Sequence, residues 1–182
     1  MITDLCKKFE HYETPQWAAR AILDKESLPE YCVDPCTGTG ILALELRNRG
    51  HKVSAFDVHD WGYGGTIVMD WLETGGRCDG KGLMMNPPFS LAVNFVEHAI
   101  GCGFDKILCF QRFAWWESKK RKPFWEKHPP ARVYICGDRA ACWRHDIPES
   151  ERKSTTPTAH AWFVWEKKGS EQTTLSHIWR DE

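Results

Sequence analysis

Short apolar runs alternate along this chain with segments of helical character, separated by glycine-rich or polar connections. Tyr31-Cys32-Val33-Asp34 reads as a strand. Ile41 to Arg49, rich in helix formers and basic in its last turn, reads as a helix that stops at Gly50. A second strand, Lys52 to Phe56, ends in Asp57; after the connection Gly62-Tyr63-Gly64-Gly65 a third, Thr66 to Met69, ends in Asp70-Trp71. Residues 82–86 form a fourth strand, Leu91 to Ile100 a helix, Lys106 to Phe110 a fifth strand, and 160–165 the last strand. In that helix Leu91, Val93, Phe95, Val96, Ala99 and Ile100 do not share one face, which predicts burial over much of its surface. The alternation predicts an α/β fold: a right-handed, doubly wound, mostly parallel sheet with helices on both faces and its ligand at the carboxyl ends of the strands. Asp34, Asp57, Asp70 and Asn86 all fall at such ends.

The candidate chemistry lies there. Between the first strand and its helix runs the small-residue loop Asp34-Pro35-Cys36-Thr37-Gly38-Thr39-Gly40, whose glycines let backbone approach a ligand closely. Only Gly-x-Gly is present, with neither a third glycine nor a following Gly-Lys-Ser/Thr, so neither a pyrophosphate nor a triphosphate cradle is supported. Asp34 argues the same way, because a carboxylate beside the loop repels phosphate and welcomes a cation such as an amino group or a sulfonium. Asp57 stands where an acid binds a ribose diol. In Asn86-Pro87-Pro88-Phe89 the two prolines donate no backbone hydrogen bond and hold φ at about −65°. The carbonyls of Asn86 and Pro87 are therefore rigidly aimed and left without ladder partners. An exocyclic amine supplies the missing donors, to the Asn86 side-chain oxygen and the Pro87 carbonyl, while Phe89 stacks on its ring. Taken alone, the tetrapeptide also reads as a strand ending in a proline turn.

Together these residues resemble the class I S-adenosylmethionine-dependent methyltransferases, and among them the amino-methyltransferases that modify nucleobases. Residues 34–40 look like their cofactor loop, with Asp34, Pro35, Cys36, Gly38 and Gly40 beside the cofactor, and Asp57 looks like their ribose-binding acid. Asn86, Pro87, Pro88 and Phe89 match their catalytic tetrapeptide. Tyr12-Glu13-Thr14-Pro15, before the helix-like Gln16 to Leu23, resembles the N-terminal segment that covers the methionine end of the cofactor, with Tyr12 and Thr14 as its contacts. Asp70 then matches an acid that binds the adenine amine of the cofactor; capping the next turn is the other role open to it. The order of the motifs is the one called γ among DNA amino-methyltransferases. The chain looks most like short prophage-type adenine methyltransferases, which the runs Arg132-Val133-Tyr134-Ile135 and Ala161-Trp162-Phe163-Val164-Trp165 also match.

The resemblance implies a Rossmann-like fold, S-adenosylmethionine as cofactor, and methyl transfer to the N6 amine of adenine in DNA. It also implies a cytoplasmic, bacterial or phage-encoded protein. The same tetrapeptide occurs in enzymes acting on RNA bases and on protein glutamine amides, so both stay open. A third reading is a nucleic-acid or cofactor-binding module without catalysis. No cysteine stands beside the tandem prolines, which argues against cytosine C5 methylation. The γ DNA enzymes usually add a target-recognition domain, whereas here residues 169–182 read as a polar tail after the last strand. Sequence readout is then weak or short, built from the 111–158 region, or supplied by a partner or a homodimer.

At 182 residues and 42% hydrophobic content, the chain suits one catalytic domain over 1–182, with 1–30 as the cofactor-covering segment. The eight cysteines include no Cys-x-x-Cys pair, which speaks against a structural zinc site; Cys109 and Cys136 sit in apolar runs and read as core. No stretch is long enough to span a membrane. The near-neutral net charge hides a split: residues 106–168 carry +7 and the remainder −8. Lys119, Lys120, Arg121 and Lys122 are interleaved with Trp115, Trp116, Phe124 and Trp125, and Arg139 follows. Basic residues attract phosphates and exposed aromatics stack on bases, so this region reads as a nucleic-acid face; a solvated helix over core tryptophans is the plainer alternative. Arg139 to Thr158 reads as a long polar loop that closes over substrate, with His145 and His160 as candidate phosphate contacts.

Overall fold

Eight strands form one sheet in the computed structural model, which describes residues 4, 5, 8, 10–153 and 156–181; Cys6 and residues 154–155 of the long loop lie outside these. In chain order they are β1 (Tyr31–Asp34), β2 (Lys52–Asp57), β3 (Thr66–Val68), β4 (Lys81–Met85), β5 (Lys106–Arg112), β6 (Arg132–Cys136), β7 (His160–Glu166) and β8 (Thr174–Ile178). The helices are α1 (Gln16–Leu23), α2 (Ile41–Asn48), α3 (Ala92–Cys102) and α4 (Lys122–Lys127). The sheet runs β3-β2-β1-β4-β5-β7-β6-β8, and every neighbouring pair is parallel except those made by β7. Strand order reverses between β1 and β4, which opens a crevice at their carboxyl ends.

Side-chain alternation along the central strands sorts the layers. Val33, Leu83, Met85, Ile107 and Cys109 point to the face covered by α3. Cys32, Met84, Leu108 and Phe110 point to the opposite face, against α1 and α2. On α3 the fully buried positions are Ala92, Phe95, Val96 and Ala99, a single stripe at helical spacing. The expectation of a helix buried over much of its surface is therefore corrected: the sheet covers one side only, leaving Val93 and Ile100 at the margin.

The polar tail also holds a strand. β8 pairs in parallel with β6 and closes the sheet edge, so 160–165 is not the last strand. Its sequence gave no strand signal because it is an edge strand with only Ile178 buried. Trp115 and Phe124 are buried on the α3 side with Phe163 and Trp165, so these aromatics beside the lysines are core rather than stacking platforms. At the far end of the sheet from the strand-end acids, buried Glu26 receives Lys106 (2.7 Å), Tyr134 (2.8 Å) and Arg132. Burial pushes the Glu26 carboxyl up, and the hydrogen bonds from Arg132, Lys106 and Tyr134 more than offset it, holding it below its usual value.

Candidate active site

The loop after β1 is built by its glycines. Gly38 (φ 55°) and Gly40 (φ 88°) are left-handed, and Gly40 opens α2. A Cβ on Gly38 would come within 2.7 Å of His11, and one on Gly40 would overlap the Tyr63 ring. Asp57, ending β2, holds the loop down by accepting the Gly38 N–H at 2.9 Å, and it also accepts the His59 N–H and the Trp61 indole N–H, each at 3.2 Å. Burial pushes the Asp57 carboxyl up, countered by these donors. Asp70 caps the short turn after β3 through the Leu72 N–H (2.9 Å) and lines the cavity as well, so its two predicted roles are compatible.

Asp34 lies elsewhere. Its side chain is wholly buried beneath the loop and does not line the cavity. One oxygen meets the Cys36 N–H at 3.4 Å and the other has no hydrogen-bond partner among the described residues. Burial pushes its carboxyl up to about 8, so near neutral pH it is a neutral acid. The reading of Asp34 as a charge presented to the ligand is thereby corrected.

Above the loop, a cavity of about 250 Å³ is walled by Gly38, Asp57, Trp61, Asp70, Asn86 and Pro88. Its roof is the N-terminal segment, which lines it with Tyr12 and Thr14 and zips onto the long loop. Glu13 N–H donates to the Trp143 carbonyl (3.0 Å), His145 N–H donates to the His11 carbonyl (3.1 Å), and Tyr12 bridges Arg144. The Glu13 carboxylate takes His145 and Arg152, both at 2.8 Å. His145 is therefore a roof residue. His11 packs on Trp61 and His145, and burial, with His145 nearby, lowers its pKa to about 4.

At the tetrapeptide the Asn86 amide nitrogen donates to the Tyr12 carbonyl at 2.8 Å, which fixes the amide orientation, since a carbonyl accepts only. Oδ1 is left without a protein donor among the described residues, at the cavity wall. The Pro87 carbonyl is not left bare, which corrects the sequence expectation: Gln111 Nε2 donates to it at 3.1 Å. The β4–β5 register, Met85 opposite Cys109, brings Gln111 opposite Pro87 two residues on. There the ladder has lost its donor and a side-chain amide substitutes for it. Phe89 is not an open platform either, because the Arg112 guanidinium lies 4.2 Å from its ring centroid, with Tyr12 at 5.3 Å.

A second cavity, of about 290 Å³, opens on the other side of Tyr12 and Phe89, walled by Arg112, Trp143, Arg144 and His160. His160 is buried and stacks on Phe110 (5.4 Å); burial, with Arg112 nearby, lowers its pKa to about 4. Lys119, Lys120, Arg121 and Lys122 line neither cavity. Lys119 and Lys120 are exposed on a short turn, Arg121 donates to the Trp115 and Glu117 carbonyls, and Lys122 pairs with Glu126. Arg139 donates to the Pro157 carbonyl at 2.7 Å, bracing the long loop. Sequence reasoning missed Gln111, Arg112 and Trp61. For the first two a signal existed: polar residues ending an apolar strand, the same rule that singled out Asp34, Asp57, Asp70 and Asn86.

No protein-family profile and no curated protein sequence matches the chain. Among solved structures it is similar to a candidate RNA methyltransferase from Pyrococcus horikoshii, at 18% identity and a TM-score of 0.61 over 87% of each chain. It is similar to a modification subunit of a candidate type I restriction enzyme from Vibrio vulnificus, at 15% identity and a TM-score of 0.61 over 92% of this chain and 47% of that one. It is also similar to the 23S rRNA methyltransferase ErmE, at 11% identity and a TM-score of 0.57 over 89% and 70%. At these identities the likeness is one of fold, and together with the mostly parallel eight-stranded sheet it gives this chain the class I methyltransferase fold.

Proposed function

We propose that this chain transfers a methyl group from S-adenosylmethionine to the exocyclic N6 amine of adenine in DNA, with low or short sequence specificity. The observation that carries the reading is the Asn86 side chain: its nitrogen is committed to Tyr12, and its oxygen is left to accept at the cavity wall. The first cavity fits the cofactor. Asp57 and Asp70 stand at adjacent strand ends for a ribose diol and an adenine amine, and Gly38 sits where a Cβ would close on the roof. Bound there, S-adenosylmethionine supplies an electrophilic methyl group carried on a sulfonium.

The protein's part is orientation. An amine conjugated to a purine ring is a poor nucleophile, because its lone pair is delocalised into the ring. Asn86 Oδ1 accepts one N–H, and the Pro87 carbonyl, whose second lone pair remains after Gln111, accepts the other. This draws the nitrogen toward a tetrahedral geometry with its lone pair aimed into the first cavity. Gln111 and the tandem prolines hold the carbonyl in place for this. No general base is needed before transfer, since the methylated nitrogen is acidic and releases its proton to water. The Tyr12–Thr14 roof covers part of the cavity.

The same chemistry on an RNA base is the second reading, favoured by the RNA substrates named for the Pyrococcus protein and for ErmE. Mass spectrometry of digested DNA and RNA from cells expressing the protein separates the two. The expected result is methyladenine in DNA; a methyl gain in RNA alone gives the second reading, and no gain in either contradicts both.

A further inference from the structure

The second cavity has an electrostatic character that methyl transfer does not use. Among the described residues its wall includes Arg112, Arg144, two threonines and His160 and no aspartate or glutamate, whereas the first cavity is walled by Asp57 and Asp70. Arg144 is matched by Asp146. Arg112 is not matched: it is exposed at the end of β5, and among the described residues its guanidinium enters no ion pair and donates no hydrogen bond. It lies instead on the Phe89 ring, 4.2 Å from the centroid. A guanidinium is flat, weakly hydrated and always charged, so it stacks on an aromatic face much as a planar base would. An exposed contact of this kind is weaker than a forked, charge-assisted bond to phosphate.

We propose that Arg112 is a placeholder: it occupies the acceptor's stacking position on Phe89 and, when the acceptor ring enters, swings away to pair with the phosphate of the same polynucleotide. The acceptor is then a phosphate-bearing nucleobase rather than a neutral amide. This rests on the transfer reading and adds the substrate class and the residue that selects it. One cavity wall thus trades a cation–π contact for base stacking and a phosphate pair.

The two halves of the role predict effects of opposite sign. Calorimetric titrations with the first cavity saturated by S-adenosylhomocysteine compare adenosine with adenosine monophosphate, on the wild type, Arg112→Ala and Arg112→Lys. Arg112→Ala is expected to weaken the monophosphate about tenfold, as loss of a charged hydrogen bond does. The same change leaves adenosine unchanged or tighter, because its stacking position is vacated. Arg112→Lys, which keeps the charge and loses the flat fork, is expected to recover part of the monophosphate affinity. Equal weakening of both ligands marks a structural role and overturns the proposal, as does no change in either, or no binding of either to the wild type.

The phosphate could belong to DNA or RNA, and short oligo(dA) and oligo(rA) decide between them. On the polymer that binds, the slope of log affinity against log salt falls by about one in Arg112→Ala. Tighter binding of a glutamine peptide, indifferent to Arg112→Ala, overturns the assignment. None of these measurements reads methyl transfer, so binding as described without turnover leaves Arg112 in its role while the transfer reading falls.

Discussion

At Asn86, Pro87 and Gln111 two hydrogen bonds decide which atoms remain to meet an acceptor. Gln111→Leu leaves the buried Pro87 carbonyl without its donor and free to drift. Because an ångström of misplacement costs up to about a hundredfold, a fall of tenfold or more in kcat is expected, with KM for S-adenosylmethionine little changed; steady-state kinetics reads the split. Buried titratable groups set the pH behaviour. The folded state keeps Asp34 protonated to about pH 8, whereas its ordinary value is 3.8, so this site's contribution to stability falls as pH rises between them. Asp34→Asn, neutral and of the same shape, is expected to raise the melting temperature by several degrees near pH 8 and by much less at about pH 4. Melting followed by circular dichroism checks it, and destabilisation at every pH would point to a carboxylate that must ionise. His11 and His160 act from the other side: their folded pKa values near 4 lie below the ordinary 6.5, so their stability is full above 6.5 and lost as pH falls toward 4.

Among the elements, the loop after β1 and the roof carry distinct loads. Gly40 is left-handed at the start of α2, and a Cβ there would overlap Tyr63, itself bonded to Arg47. Gly40→Ala is expected to cost about 2 kcal/mol or more, roughly the left-handed penalty plus the overlap, and to weaken S-adenosylmethionine binding; urea unfolding and titration report the two. The roof tests differently. Glu13 ties the N-terminal segment to His145 and Arg152, at the edge of the fold rather than in its core. Glu13→Ala is expected to speed cofactor dissociation severalfold while leaving the global melting temperature within a few degrees, measured by stopped-flow fluorescence and calorimetry. Elements with a local backbone signature were legible in the sequence: the glycine loop, the tandem prolines, the acids ending β1 and β2. The roof was half legible. Its N-terminal segment could be read, but its partner at 143–145 lies far along the chain and has no periodicity to announce it. β8 stayed hidden for a related reason, since an edge strand with only Ile178 buried needs no apolar alternation.

Across the whole molecule, charge is divided as the sequence indicated, but the basic residues at the second cavity are different ones. Lys119 to Lys122 line neither cavity, whereas Arg112 and Arg144 wall the second one. Interleaved lysines and tryptophans could not reveal this, because a short turn can bury Trp115 and Phe124 and leave the lysine ammoniums in water. A ligand site at the carboxyl ends of the strands was expected from the alternation of strands and helices, and what the sequence lacked was the β4–β5 register that puts Gln111 on Pro87. The most direct test of the central claim is transfer of a labelled methyl group from S-adenosylmethionine to unmethylated DNA and to RNA, with wild type and Asn86→Ala side by side. Label is expected at adenine N6 with the wild type, and its loss by about a hundredfold or more with Asn86→Ala, the scale of removing one preorganised polar group. Wild-type protein that binds the cofactor and labels no polynucleotide, or Asn86→Ala that labels as well as wild type, would contradict it.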